Sequence, residues 1–173
     1  MDTIHEPARN IPVLDDVDVC VIGGSCTGVF AAVRAARLGA RVCLVERNNC
    51  FGGAATAGFV CYWHSLFDTT GERQVIAGLT QEMVDRLGRI GAIDFVPGQR
   101  FDRVFNSEEM KIELDGMVRE NRIRPFLHTV LASSVAEGRH VRAAIVENKS
   151  GRGAIRAGCF IDASGDGDLA WSL

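Results

Sequence analysis

The chain of 173 residues lacks an excess of positive charge: 19 Lys and Arg stand against 22 Asp and Glu, a formal net charge of −3, and the arginines are scattered. Without a basic face there is nothing to neutralise phosphates, so nucleic acid is not an expected partner. No apolar run is long enough to span a bilayer, and MDTIHEPARNIPVLDD has no basic segment followed by an apolar one, so neither membrane nor export is expected and the expected location is the cytoplasm. The six cysteines, at 20, 26, 43, 50, 61 and 159, include no C-x-x-C pair, which removes the zinc and disulfide-framework readings. Small buried thiols are the default, with Cys50 and Cys61 flanking a glycine-rich loop as the one conceivable redox pair. The four histidines, His5, His64, His128 and His140, have no partner at a ligand-like spacing, so no metal is expected. Low complexity is absent too, and 47% hydrophobic residues suffice for one core.

What is present is concentrated in Asp18 to Glu46, DVCVIGGSCTGVFAAVRAARLGARVCLVE. Val17, Val19, Val21 and Ile22 form a β-branched run suited to a strand covered on both faces, and the run stops at Gly23. A helix is expected from about Thr27 to Leu38, ended by Gly39, and a second strand over Arg41 to Val45. Gly23 permits the tight bend out of the strand, and Gly28 permits close approach of the helix. The main-chain N–H groups of Gly24, Ser25 and Thr27 then face whatever lies over the turn, for which a phosphate is the favoured occupant. Glu46 lies at the second strand's tip, 23 positions after Gly23, where a carboxylate can accept hydrogen bonds from both hydroxyls of a ribose. The pattern G-x-G-x-x-G asks for glycine where Ser25 stands. Either the serine hydroxyl donates to a phosphate oxygen, or the ligand sits slightly further out.

The rest of the chain follows in order. Residues 1 to 16 are polar, contain Pro7 and Pro12, and read as a mobile lead-in to a domain over 17–173. After Glu46 and Arg47 comes NNCFGGAATAGF, where Gly52, Gly53 and Ala54 leave main chain free to approach an extended ligand. Leu79, Met83, Leu87 and Ile90 recur at helical spacing. Asn106 with Glu109 has the form of a capping box opening a helix to about Asn121, with Met110, Leu114, Met117 and Val118 on one face. The intervening DFVPGQRFDRVF reads as irregular. From Arg124 the pattern becomes that of strands: RPFLH as a core strand, then TVLASSV and HVRAAIVE as an antiparallel meander, a turn over 148–153, and a last strand at Cys159 to Asp162. The carboxylates of DASGDGDLAWSL do not make an EF-hand, because a loop starting at Asp162 would need Glu where Leu173 stands.

The blocks VIGGSCTGVFAAVRAARLGARVCLVER, GGAATAGFV and FIDASGDGDLA resemble, in that order, the FAD-dependent oxidoreductases that share a glutathione-reductase-like FAD domain. The resemblance covers nearly all of residues 17 to 171. It implies an α/β, Rossmann-like fold: a parallel sheet with helices on both faces and an antiparallel β-meander crossover. It also implies FAD as cofactor, the first block holding its ADP half and the second lying along pyrophosphate and flavin. The main chain near Val130 would meet the adenine. Ala163 and Gly165 would turn the chain toward the cofactor, with Asp166 hydrogen-bonding ligand hydroxyls. Tyr62, Trp63 and His64, just after the glycine loop, would lie near the isoalloxazine or else pack in the core. No residue is identified as a catalytic acid, base or nucleophile.

The expectation is therefore a flavin-dependent oxidoreductase acting on a small molecule, with a nicotinamide or another electron donor or acceptor as partner. Its substrate pocket is expected from a further segment. Two other readings are an NAD-binding enzyme on the same scaffold, similar to thiazole synthases, and a non-catalytic dinucleotide-binding module.

Overall fold

The structure, a computed structural model, describes residues 2–98 and 101–173. Strand β1 (Val13–Ile22), helix α1 (Cys26–Arg37) and strand β2 (Val42–Val45) form the expected strand, turn, helix and strand. A short 3-10 turn (Gly53–Ala55) and strand β3 (Tyr62–Trp63) follow, then α2 (Leu79–Arg89), β4 (Ile93–Phe95), β5 (Arg103–Phe105) and α3 (Ser107–Glu120). The chain closes with β6 (Arg124–Phe126), β7 (Val130–Glu137), β8 (His140–Asn148), β9 (Gly151–Asp162) and α4 (Asp168–Trp171).

One six-stranded sheet in the order β6-β2-β1-β9-β8-β7 carries the fold. Its first four strands are parallel, and β8 and β7 continue it antiparallel. Register places Ile22 beside both Val45 and Asp162, and Val45 beside Phe126, so the four parallel strands end along one edge. In open parallel sheets ligands sit outside that carboxyl edge. The architecture is the α/β, Rossmann-like one expected.

Two faces of β1 and β2 bury different cores. Val21 and Leu44 pack with Val29 and Val33 of α1, Leu87 of α2 and Met110 of α3. On the other face Cys20, Ile22, Cys43 and Val45 pack with Ile155 of β9 and Leu169 of α4. Helices thus lie on both faces, but the second cover is mostly strand, with α4 supplying one buried leucine. The methionines of α3 are core, as their helical spacing implies.

The structure alters several boundaries. Strand β1 begins at Val13, paired with Ala154, so the last four residues of the 1–16 lead-in belong to the sheet. Asp15, Asp16 and Asp18 interrupt the apolar run there, which hides the strand in the sequence. Strand β9 is continuous from Gly151, so its first half belongs to the meander and its second half to the parallel core. The segment read as irregular holds the antiparallel pair β4–β5, joined by β3 into a three-stranded sheet of order β3-β5-β4. Gln99 and Arg100 of that segment lie outside the described residues. The capping box is half formed: the Asn106 side chain accepts from the Glu108 and Glu109 N–H groups, but its own N–H donates to the Ala92 carbonyl.

Polar side chains fasten the three long helices along their solvent edges. Arg37 of α1 makes a two-pronged contact with Glu82 of α2, at 2.7 and 2.8 Å. Arg86 of α2 reaches Glu113 and Glu120 of α3, at 3.4 and 3.0 Å. The Arg37 guanidinium, with Arg86 adding to it, holds the Glu82 carboxyl at about 2, below its ordinary 4.5. Because the folded-state value is the lower one, the stabilisation is full above about 4.5 and is lost as pH falls toward 2. Thermal unfolding followed across that range should show the loss, and Glu82→Gln should flatten that part of the curve. An identical acid slope in the variant would contradict the assignment.

Candidate functional site

Strand β1 ends in a turn whose glycines are packed against main chain. A Cβ on Gly28 would lie 1.8 Å from the Gly23 carbonyl oxygen, and one on Gly23, whose φ is +98°, would lie 2.3 Å from the Ala163 carbonyl oxygen. Ala163 itself is tied to β1 by its N–H, which donates to the Ile22 carbonyl at 2.7 Å. The start of α1, the end of β1 and the end of β9 therefore meet with no side chain between them. At Gly24 a Cβ would stand 2.6 Å from the Phe51 ring and 3.0 Å from Glu46 Oε2.

Ser25, at the site where glycine was expected, is the N-cap of α1, and its hydroxyl accepts from the Gly28 N–H at 3.4 Å. The hydroxyl proton has no acceptor among the described residues. Thr27 is exposed in the first turn of α1.

The second glycine turn rests on the first. The Gly52 N–H donates to the Gly24 carbonyl at 2.8 Å, and a Cβ on Gly53 would stand 3.0 Å from the Ser25 Cβ. Gly52 has φ +110° and no room for a side chain, since a Cβ would lie 2.4 Å from Thr56 Cγ2. Thr56 is buried, and its hydroxyl donates to the Phe51 carbonyl at 2.6 Å, closing the loop on itself. Ala54 is exposed on this turn, and its carbonyl accepts from the Val60 N–H at 2.9 Å, so β3 leaves directly from it.

The carboxylate of Glu46 is 5% exposed and bonded on both oxygens. Oε2 accepts from the Gly24 N–H at 2.7 Å; Oε1 accepts from the Asn48 N–H at 2.7 Å and from Asn48 Nδ2 at 2.8 Å. Main-chain bonds then join this strand tip to the end of β6 and the connection into β7: Glu46 N–H to the Phe126 carbonyl, Thr129 N–H to the Glu46 carbonyl, and His128 N–H to the Asn48 carbonyl, at 2.8, 3.0 and 3.0 Å. A pocket of about 130 Å³ opens here, lined by Gly23, Glu46, Arg47, Thr129, Val130 and Ser164, with Asp168 at its wall. Four residues expected from the sequence, Gly23, Glu46, Arg47 and Val130, are thus in one place.

The end of β9 forms a turn beside the pocket. Gly165, with φ +95°, and Asp166 are exposed, and Asp166 makes no side-chain hydrogen bond among the described residues; Ser164 and Asp168 line the pocket instead. Asp162 organises the turn. Its Oδ1 accepts from the Ser164 N–H and hydroxyl at 3.1 and 2.7 Å, and its Oδ2 from the Leu169 and Ala170 N–H groups, each at 3.0 Å. Partial burial pushes the Asp162 carboxyl up, and these hydrogen bonds outweigh it, leaving it below its ordinary value. Since Gly167 has no side chain, Asp162 serves as the N-terminal cap of α4 from outside the helix. The sequence signal for it was Asp-x-Ser at a strand end, an Asx-turn pattern. Asp162→Ala should destabilise the protein by about 1 kcal/mol, the usual worth of a lost cap. Chemical denaturation checks this, and unchanged stability would mean the turn holds without the carboxylate.

Of the three residues after the second glycine turn, Trp63 packs on Phe105 with ring centroids 5.1 Å apart. The Tyr62 hydroxyl donates to Asp102, and His64 Nδ1 lies 3.8 Å from the same carboxylate. All six cysteines are free thiols; Cys20 and Cys43 face each other in register, and burial pushes the Cys26 thiol up to about 11. No group of three or more His, Cys, Asp or Glu among the described residues could hold a metal ion, and no described helix is long and apolar enough to cross a membrane.

A glycine turn fused to a helix start, a strand-tip carboxylate and a pocket on the carboxyl edge of the sheet are the features of a Rossmann-like α/β fold. The chain belongs to the FAD dependent oxidoreductase family, which it matches over residues 18–172. Its cofactor is accordingly FAD. The residues fit that group: Glu46 Oε2 retains acceptor capacity, the Ser25 hydroxyl retains a proton, and the N-terminal end of α1 adjoins the turn. No curated protein matches the chain. Among solved structures it is similar to THI4 of Thermovibrio ammonificans, with 17% identity and a TM-score of 0.66 over 91% of this chain and 61% of that one. It is similar also to NikD, an unusual amino acid oxidase of nikkomycin biosynthesis, with 16% identity and a TM-score of 0.63 over 92% and 55%. A third is a geranylgeranyl bacteriochlorophyll reductase-like protein of Thermoplasma acidophilum, with 16% identity and a TM-score of 0.63 over 91% and 42%. The chain thus spans between 42% and 61% of the length of these three.

Proposed function

We propose that the chain is the FAD-binding part of a flavin-dependent oxidoreductase acting on a small molecule. The flavin supplies the electron transfer when bound, and a nicotinamide or another electron carrier completes the cycle. The observation that carries this reading is the convergence of Gly23, Glu46, Arg47, Thr129 and Val130 in one pocket at the strand ends. Glu46 accepts from the adenosine ribose, and the main chain of Thr129 and Val130 borders the adenine. The Ser25 hydroxyl, capping α1 with its oxygen, donates its proton to a phosphate, joined there by the main chain of Gly24 and Thr27. Gly52, Gly53 and Ala54, resting on the first turn, continue the path toward pyrophosphate and isoalloxazine. Ala163 and Gly165 bring the chain back to the cofactor, where Asp166, which makes no side-chain hydrogen bond among the described residues, is available to ligand hydroxyls.

Protein purified and saturated separately with FAD and with NAD should retain FAD through gel filtration and show a flavin absorbance band. Retention of NAD alone would overturn the proposal and favour a flavin-free enzyme on this scaffold. Full FAD occupancy with no reduction by any donor would instead favour a non-catalytic module.

A further inference from the structure

We infer that Asn48 restricts Glu46 to one of the two ribose hydroxyls, so that the site recognises the 2′ and 3′ positions of the adenosine unequally. The inference rests on the dinucleotide reading of the pocket and adds a specificity-determining residue to it. A carboxylate offers about four acceptor positions, two on each oxygen. In Glu46 three are taken: both positions on Oε1 by Asn48, and one on Oε2 by the Gly24 N–H. One position, on Oε2, is left for a ligand.

The Asn48 contact is built into the fold. Its own carbonyl accepts from the His128 N–H at 3.0 Å, and its N–H and Nδ2 both point at Oε1, at 2.7 and 2.8 Å. The main chain of Asn48 is thus fixed at both its N–H and its carbonyl, which holds the N–H on Oε1, and the side-chain amide adds the second contact on that oxygen through Nδ2 alone. The Gly24 N–H is equally fixed, because the Gly24 carbonyl is held by the Gly52 N–H at 2.8 Å. With 5% of Glu46 exposed, the carboxylate has little room to turn and present Oε1. A second hydroxyl must therefore find water or another wall of the pocket, where its loss costs little.

The test is calorimetric titration of the purified chain with ADP, 2′-deoxy-ADP and 3′-deoxy-ADP. One deoxy compound should bind about tenfold more weakly than ADP, the worth of a hydrogen bond to a charged acceptor, and the other within about twofold. In Asn48→Ala, with folding checked by circular dichroism, the amide no longer fills Oε1. ADP should then bind more tightly, and the deletion that was silent should become costly. Equal losses for both deoxy compounds in the wild type would overturn the inference, as would an Asn48→Ala protein with the wild-type pattern. A folded Asn48→Ala that binds no nucleotide would also overturn it, since Asn48 would then be support and not competitor. Absence of ADP binding to the wild-type chain would instead overturn the dinucleotide reading itself.

Discussion

Gly28→Ala should give a protein that loses FAD binding and is markedly less stable. Ordinarily alanine stabilises a helix by about 0.5–1 kcal/mol over glycine, so the sign depends on what the new methyl group meets. Here it meets the Gly23 carbonyl oxygen at 1.8 Å, a main-chain atom that cannot rotate aside. Gly23 cannot retreat either, because its own α-carbon faces the Ala163 main chain. Overpacking of this kind costs about 1–3 kcal/mol and sometimes more, which exceeds the helix gain. The relief must come from shifting α1 off the end of β1, which opens the first turn. Gly116→Ala on α3 is the matching control. Its Cβ would find Glu120 Oε1 at 3.7 Å, an ordinary contact, so stability should rise by about 0.5–1 kcal/mol. Thermal unfolding and FAD titration of both variants give the comparison; a Gly28→Ala protein with wild-type stability and affinity would mean that the fusion of β1 to α1 is looser than described.

Glu46→Ala should be comparably damaging, through the donors it strands. The Gly24 N–H and the Asn48 N–H and amide all lose their acceptor, and the first of these is buried in the turn. Leaving a buried donor unpaired costs about 1–3 kcal/mol. Loss of the proposed ribose contact should weaken FAD binding by roughly tenfold to a hundredfold, as expected for a hydrogen bond to a charged acceptor. Glu46→Gln should fall between, since its amide oxygen still accepts but its NH2 faces donors. Isothermal titration with FAD and denaturant unfolding separate the two effects. Wild-type FAD affinity in Glu46→Ala would remove the carboxylate from the cofactor site.

The central unit was legible in the sequence because glycine and β-branched residues leave few alternatives. The run ending at Ile22, the glycines at 23 and 28 and the apolar helix up to Arg37 specify strand, turn and helix together. The α3 helix was readable from its Asn106 cap and its apolar face, and β6 and the meander from their alternation. What was hidden depends on distant partners. Strands of two or three residues such as β3 and β5 have too little pattern to show before pairing. The polar start of β1 is a strand because it pairs with β9 and not because of its own residues. The structural role of Glu46 was hidden for the same reason. Spacing placed the carboxylate, but that it fastens Gly24 and Asn48 follows from the strand tip meeting the turn. Asp162, read as the end of the last strand and as a failed calcium ligand, caps a four-residue helix that follows its own strand.

The claim on which the rest depends is that the chain grips the adenosine end of its cofactor between Glu46 and the first glycine turn. Equilibrium titration of the purified chain with FAD and, separately, with FMN, which shares the isoalloxazine and lacks the adenosine, tests it most directly. The account predicts FAD binding at least about tenfold tighter than FMN, with that advantage reduced by about tenfold or more in Glu46→Ala. Equal affinity for the two, or an advantage undiminished by the substitution, would contradict it.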